Sequence, residues 1–204
     1  ELGASLTELA EMYPRFCNAT ALPLLTDADT GFGNVTNVAR AVRLYEKAGV
    51  AGLFIEDQVF PKRCGHMTGK AVVPLADWIA KIMAALDARE DPDFVIMART
   101  DALAVNGVDD AILRAQLACD TGADLFFVEA PTTIGEMRRI CAEVPGPCLA
   151  NNVETGRSPL LPAADLQALG YAAVVFPVAA TYAVAHALAG LFATIRRTGT
   201  TAAF

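Results

Sequence analysis

Five short apolar runs, each stopping at a side chain fit for chemistry, constrain this chain more than any other feature. Leu22-Pro23-Leu24-Leu25-Thr26 meets Asp27 and Asp29, and Gly52-Leu53-Phe54-Ile55 meets Glu56 and Asp57. Phe94 to Ala98 ends at Arg99, Leu125 to Val128 at Glu129, and Cys148-Leu149-Ala150 at Asn151. Near-continuous apolar runs of this length read as parallel strands buried on both faces. Polar groups at their C-terminal ends would share one rim, and in a (β/α) barrel that rim carries the active site.

Helical signals alternate with these runs. A helix is expected from Leu6 to Tyr13, another of about 13 residues around Val38 to Tyr45, closed by Gly49, and another from Leu75 to Arg89. Further helices are expected from Asp109 to Gly122, at 133–142, at 163–169 and at 180–197, with a sixth strand at 172–177. Repeated strand–helix units imply an α/β parallel fold with right-handed crossovers. No linker or change of composition divides residues 1–204, so one domain is expected. A TIM-type (β/α)8 barrel needs eight strands. Six are found, so the expectation is a barrel whose first two strands are missing from this chain, or else an open sheet.

Composition narrows the classes. Hydrophobic residues make up 54% of the 204 and charged residues 19%, which supplies a core and excludes disorder. The net charge is −7 with no basic cluster, which argues against nucleic acid. No apolar stretch approaches the roughly 20 residues of a membrane helix, so no membrane partner is expected. Five scattered cysteines without a CxxC pair suit a reducing compartment, and a cytoplasmic location is expected. Cys119, Cys141 and Cys148 read as small core residues.

Asp27-Ala28-Asp29-Thr30-Gly31-Phe32-Gly33 puts two carboxylates two apart at a strand end. Oxygen ligands in a chain with only two histidines suit Mg²⁺ or Mn²⁺ rather than zinc. A helix-capping acidic turn is the plain alternative. Glu56 makes a third carboxylate, plausible as a metal partner through water, while Asp57 could as well face a helix. In Lys62-Arg63-Cys64-Gly65-His66 a thiol is flanked by basic groups, a setting that lowers a thiol pKa and favours proton transfer or nucleophilic attack. An ordinary basic loop is the alternative there.

The Asp27–Gly33 segment, Ile55-Glu56-Asp57-Gln58, Lys62–His66 and Arg99-Thr100-Asp101-Ala102 together resemble, in order and spacing, the isocitrate lyase/phosphoenolpyruvate mutase superfamily. The resemblance runs over about residues 10 to 197. It implies a Mg²⁺-dependent (β/α)8 barrel acting on a small carboxylate substrate, assembled as a homotetramer or homodimer. It also implies metal held by Asp27 and Asp29 with Glu56 in the hydration shell, and Cys64 as acid/base. Arg99, Glu129, Asn151 and the Gly65-His66 backbone would bind substrate, with Lys62 beside them. The superfamily's phosphonate-processing members lack the Cys-Gly-His box, which points to its lyase branch. Two of its usual features have no counterpart here: an opening strand with a carboxylate-binding loop, and C-terminal helices swapped between subunits. Residues are therefore expected to be missing at both ends.

The function expected is a carbon–carbon lyase cleaving a 2-hydroxy di- or tricarboxylate of the methylisocitrate type into a 2-oxo acid and a carboxylic acid through an enediolate. The rivals are an oxaloacetate hydrolase or decarboxylase, a phosphonate-processing mutase, and an inactive barrel serving as a scaffold. Residues Phe60 to Lys70 lack apolar periodicity and are expected to act as a mobile lid.

Overall fold

The period-two pleat of a strand sends alternate side chains to opposite faces, and here it sorts each apolar run into two sets. In the computed structural model, which describes residues 4–202 and 204, six parallel strands follow one another: β1 (Leu25–Asp27), β2 (Gly52–Glu56), β3 (Val95–Thr100), β4 (Leu125–Val128), β5 (Leu149–Asn151) and β6 (Ala173–Val175). Strands β1 to β4 form one sheet in sequence order and β5 pairs with β6. A single parallel bridge, Phe126 to Cys148, joins the two pieces. Among the described residues β1 pairs only with β2, and β6 only with β5.

Leu53, Ile55, Ile96, Ala98, Phe126, Val128 and Ala150 face the helices and belong to the main core. Met97, Phe127 and Leu149, with Phe54, Leu125 and Ala173 against them, form a second, smaller cluster on the concave side. The same alternation carries one step further to Glu56, Arg99, Glu129 and Asn151, which stand above that cluster.

The helices are α1 (Leu6–Ala19), α2 (Val35–Ala48), α3 (Leu75–Ala88), α4 (Leu103–Asn106), α5 (Val108–Asp120), α6 (Ile134–Glu143), α7 (Ala163–Leu169) and α8 (Ala179–Thr198). Their ends have local causes. Asn34 and Asn37 close a reciprocal capping box on α2, as Thr133 and Glu136 do on α6. Gly49 ends α2 at φ 86°, a left-handed position that glycine takes without strain. Val38, Ala41, Val42, Tyr45 and Ala48 make its buried stripe. None of the residues of α8 is buried, and its Tyr182, Val184, Leu188 and Phe192 are exposed.

The strands and helices match the sequence reading, with three differences. Strand β1 begins at Leu25, because Pro23 cannot donate to a ladder, and Leu22 is 75% exposed. Helix α1 runs past Pro14 to Ala19 rather than stopping at Tyr13. Leu9 and Tyr13 hold it on α2, where the Tyr13 and Tyr45 rings meet edge to face at 4.9 Å. The single turn α4 was not anticipated. No helix among the described residues is long and apolar enough to cross a membrane.

Asp57, one step past Glu56, points by the same alternation to the helix side. It is fully buried and accepts from Thr100 Oγ1 at 2.6 Å, the Asp101 amide at 2.8 Å and Arg114 Nη1 of α5 at 3.2 Å. Burial raises its pKa against those hydrogen bonds. Its role is structural, tying β2, β3 and α5 together. Asp57→Ala leaves the buried Arg114 with Asp110 and the Val73 carbonyl and should cost about 3–5 kcal/mol, read as a lower urea midpoint with unchanged m-value.

Candidate active site

The strand ends assemble the site. The register pairs Glu56 with Arg99 across β2 and β3 and Asp27 with Phe54 across β1 and β2. Asp29 lies two residues past Asp27 with φ 57°, a left-handed conformation Asp tolerates better than most. Its amide donates to Asp27 Oδ1 at 2.6 Å, and its carbonyl accepts from the Glu56 amide at 2.9 Å. The two acids are therefore fixed relative to each other and to β2.

A cation already sits among them. Lys62 Nζ lies 3.1 Å from Asp27 Oδ2, 3.3 Å from Glu56 Oε2 and 3.7 Å from Asp29 Oδ1. Burial alone would lower the Lys62 pKa, but Asp27, Glu56 and Asp29 outweigh it and raise it. Burial raises the Asp29 pKa against the pull of Lys62. Glu56 is pushed up to about 7, chiefly by burial, against Arg99 and Lys62. Its Oε1 is buried without a hydrogen-bond partner.

Arg99 occupies the centre. Its guanidinium lies over the Phe127 and Phe54 rings at 5.0 and 5.9 Å, within cation–π range. Its Nε donates to Asp101 Oδ2 at 3.0 Å and lies 3.4 Å from Glu56 Oε2; Nη2 is 3.9 Å from Glu129 Oε2. Burial opposes its charge, but Glu129, Asp101 and Glu56 outweigh burial and raise its pKa. Glu129 is buried, accepts from Asn151 Nδ2 at 3.3 Å and lies 3.0 Å from His66 Nε2. That last approach is off the line of a hydrogen bond, since His66 Nε2 counts among the buried unpartnered atoms, as does Asn151 Oδ1.

The Lys62–His66 loop folds onto this rim as a flap. The Gln58 side chain bonds the Arg63 backbone at both ends, and Val59 donates to the Ala71 carbonyl. Arg157 N donates to His66 Nδ1 at 3.0 Å. A Cβ on Gly65 would run into the Glu129 carboxylate, so glycine is what lets the flap close there. The loop expected to act as a mobile lid thus lies over the rim, held there by these hydrogen bonds. The electropositive setting expected for Cys64 is different: Lys62 turns to the acids, Arg63 Nη1 to the Thr68 carbonyl, and His66 to Glu129. Each basic group has found a stronger partner than the thiol, and Cys64 is left exposed.

Lys70 was passed over in the sequence, and Asp101 was quoted only within a motif. Lys70 Nζ donates to the Gly65 carbonyl at 2.5 Å and to Asp101 Oδ1 at 2.7 Å. Asp101 is held below its usual pKa: burial opposes this, but Arg99 and Lys70 prevail. The two-residue step from Arg99 was the available signal for Asp101. Nothing local in the sequence marks Lys70.

Five acidic side chains (Asp27, Asp29, Glu56, Asp101, Glu129) thus face three basic ones (Lys62, Lys70, Arg99). That acid excess fits a hard divalent ion, which Asp27 and Asp29 would hold with Glu56 beside them. Among the described residues no three acidic, imidazole or thiol groups already converge as a metal cage; the acids stand around the ammonium instead. A cavity of about 600 Å³ lies between α1, α2 and α3 and of these residues touches only Asp29.

The phosphoenolpyruvate phosphomutase family model matches residues 2–196. The chain belongs to that family. It is 46% identical over 198 residues to a 2,3-dimethylmalate lyase of Eubacterium barkeri, covering 97% of this chain and 68% of that one. It is 45% identical over 202 residues to a 2-methylisocitrate lyase of Escherichia coli, covering 98% and 68%. A crystal structure of 2,3-dimethylmalate lyase superposes with TM-score 0.92 at 34% identity, over 99% of this chain and 68% of that one. A phosphonopyruvate hydrolase structure in complex with oxalate and Mg²⁺ superposes at 0.85 and 33% identity, over 98% and 70%. The parallel sheets are thus those of this superfamily's TIM-type barrels. The chain spans about two thirds of the length of each of these relatives.

Exposure separates the thiols. Cys64 is exposed, Cys17, Cys119 and Cys141 are half-buried, and Cys148 is buried. Brief iodoacetamide treatment of the native protein should label Cys64 first and spare Cys148, read by peptide mass spectrometry.

Proposed function

We propose that the chain carries the active site of a carbon–carbon lyase that splits a 2-hydroxy di- or tricarboxylate into a 2-oxo acid and a carboxylic acid. The observation that carries this is the Asp27/Asp29/Glu56 cluster closed around a cation, with Cys64 two residues beyond Lys62 on the same flap. Relatives with lyase names, at 45–46% identity, support it.

A divalent ion at Asp27 and Asp29, Mg²⁺ by preference and Mn²⁺ by similar chemistry, would supply Lewis-acid stabilisation of a 2-hydroxyl and of the carbonyl it becomes. The chain's own residues do the rest. Arg99, desolvated on two aromatic faces, clamps a substrate carboxylate. Asn151 and the Gly65-His66 segment line the opposite wall. Glu56 Oε1, buried and unpartnered, can take the hydroxyl proton. When the C–C bond breaks, its electron pair stays on the departing acid as an enediolate, and Cys64 gives its S–H proton to that carbon, the proton held by Glu56 returning through solvent to restore the thiol after release. The flap keeps water away while the charge is there. Five free thiols suit a reducing compartment, the cytoplasm being the expected one.

The deciding assay offers 2-methylisocitrate, isocitrate, 2,3-dimethylmalate and oxaloacetate with Mg²⁺ and detects the 2-oxo acid or oxalate formed. Cleavage of a hydroxy acid is the expected result; oxalate from oxaloacetate alone would replace the lyase with a hydrolase. Cys64→Ser should lower turnover by ~10²–10⁴ and leave calorimetric Mg²⁺ affinity as it was. Equal losses from Cys119→Ser would show that thiol effects here concern folding.

Lys62 gives the metal assignment a test independent of turnover. Two cations cannot share the same carboxylates, so removing the ammonium in Lys62→Met should tighten Mg²⁺ or Mn²⁺ binding by roughly tenfold, about 1.4 kcal/mol. Asp27→Ala should weaken it below detection. Identical calorimetric affinities in all three proteins would place the metal elsewhere.

A further inference from the structure

Lys70 has no part in the chemistry above, yet it is the most deeply buried lysine of the site. Its side chain is 1% exposed and its Asp101 partner's 0%. A buried ion pair of this kind costs desolvation and is weak evidence for stability alone. What distinguishes this one is where its two ends lie. The carboxylate belongs to the residue that also receives Arg99 Nε at 3.0 Å and Nη2 at 3.4 Å. The other acceptor of the ammonium is the carbonyl of Gly65, the residue after Cys64. Asp101 in turn hangs by its amide from Asp57. One side chain therefore couples the strand end that orients Arg99 to the backbone that carries Cys64. The Gly65 backbone is set close against Glu129 on its other side.

From this geometry we infer that Lys70 is a positioning residue: its ammonium latches the Cys64–Gly65 backbone to Asp101 and so fixes the thiol-bearing backbone relative to the strand end that carries Arg99. Asp101 is the choice of anchor that makes the latch durable. It keeps Arg99 as a second partner, so the pair does not leave a bare charge when the flap moves. Two of the other anchors are replaceable in a different sense, because Lys62 holds carboxylates that a metal would claim and His66 holds one that substrate would approach. Lys70 touches neither, and the Gln58 side chain that straps the Arg63 backbone is the other anchor free of both. A lysine suits the task because a single compact ammonium can serve a carbonyl and a carboxylate at once.

The inference rests on the lyase reading only for its kinetic arm. The other arm is cleavage after Arg63 by an arginine-specific protease, followed by fragment mass, which needs no substrate. In Lys70→Met, cleavage there should run about tenfold faster, as expected if the flap opens in proportion to its lost anchor. Measured well below the variant's own thermal midpoint, turnover should fall ~10²-fold, the cost of about 1 Å of misplacement, with KM near wild type. Lys70→Arg, which keeps the charge and donors, should recover most of both. Should Lys70→Met fail to fold, Lys70→Gln carries the same two readouts. Unchanged cleavage after Arg63 in a folded variant overturns the latch. So does a turnover loss that only tracks a lowered thermal midpoint. A wild-type protein inert on every substrate would sink the lyase reading while leaving the cleavage result to judge the latch.

Discussion

Everything at this site depends on the pleat of six parallel strands. A strand residue has two directions to point, and the direction is fixed by the parity of its position. Even-numbered Phe54 and Glu56 face the concave side with odd-numbered Met97 and Arg99, Leu125, Phe127 and Glu129, and Leu149 and Asn151. Strands β2 to β5 each therefore send an apolar side chain inward low and a polar one inward high. The lower residues form a dry floor, and the upper ones are forced into one another's company above it. The intervening residues, Leu53, Ile55, Ile96, Ala98 and Phe126, go to the helices and supply the burial that holds the register.

Placing charges above an apolar floor has an electrostatic consequence. Arg99 cannot find water below, only the faces of Phe54 and Phe127, so it is bound to its carboxylates more firmly than a surface arginine would be. Glu56 suffers the opposite fate. Desolvation makes its charge expensive, and even Arg99 and Lys62 together leave its pKa near 7. The same rim thus holds a cation that never lets go of its charge and a carboxylate that can change its own. That contrast is what acid–base work at a dry site requires.

Parity also explains how far the sequence could be read. Asp27, Asp29, Glu56, Arg99, Glu129 and Asn151 were legible because they close apolar runs, and strand periodicity says where such residues go. Asp57 was ambiguous only until its parity against Glu56 was used. Leu22 misled because an apolar residue before Pro23 looks like strand but has no ladder to join. Pro14 misled the other way, since packing of Leu9 and Tyr13 on α2 outweighs the local break. The loop partners were not legible. Lys62 beside Cys64 in the chain is drawn 35 residues back to Asp27, and Lys70 31 residues on to Asp101. Charge proximity in sequence suggested that Lys62, Arg63 and His66 act on the thiol; three-dimensional competition for other acceptors decided otherwise.

The two lysines differ in a way that bears on how the flap can work. Lys62 neutralises Asp27, Asp29 and Glu56, the same oxygens a divalent ion would need. An incoming double charge would repel the ammonium and compete for those ligands, releasing Lys62 itself while the Gln58 side chain still holds the Arg63 backbone. Lys70 faces an acid already shared with Arg99 and remote from that exchange, so the C-terminal arm would keep its hold on Gly65. The flap is therefore fastened asymmetrically, with one anchor that metal chemistry can release and one that it cannot. Cys64 lies between them, two residues from the first and next to the residue gripped by the second. Release at Lys62 with retention at Gly65 would turn the thiol about a fixed point rather than let it wander. A group that must deliver a proton to one carbon needs such a restricted swing more than it needs a low pKa.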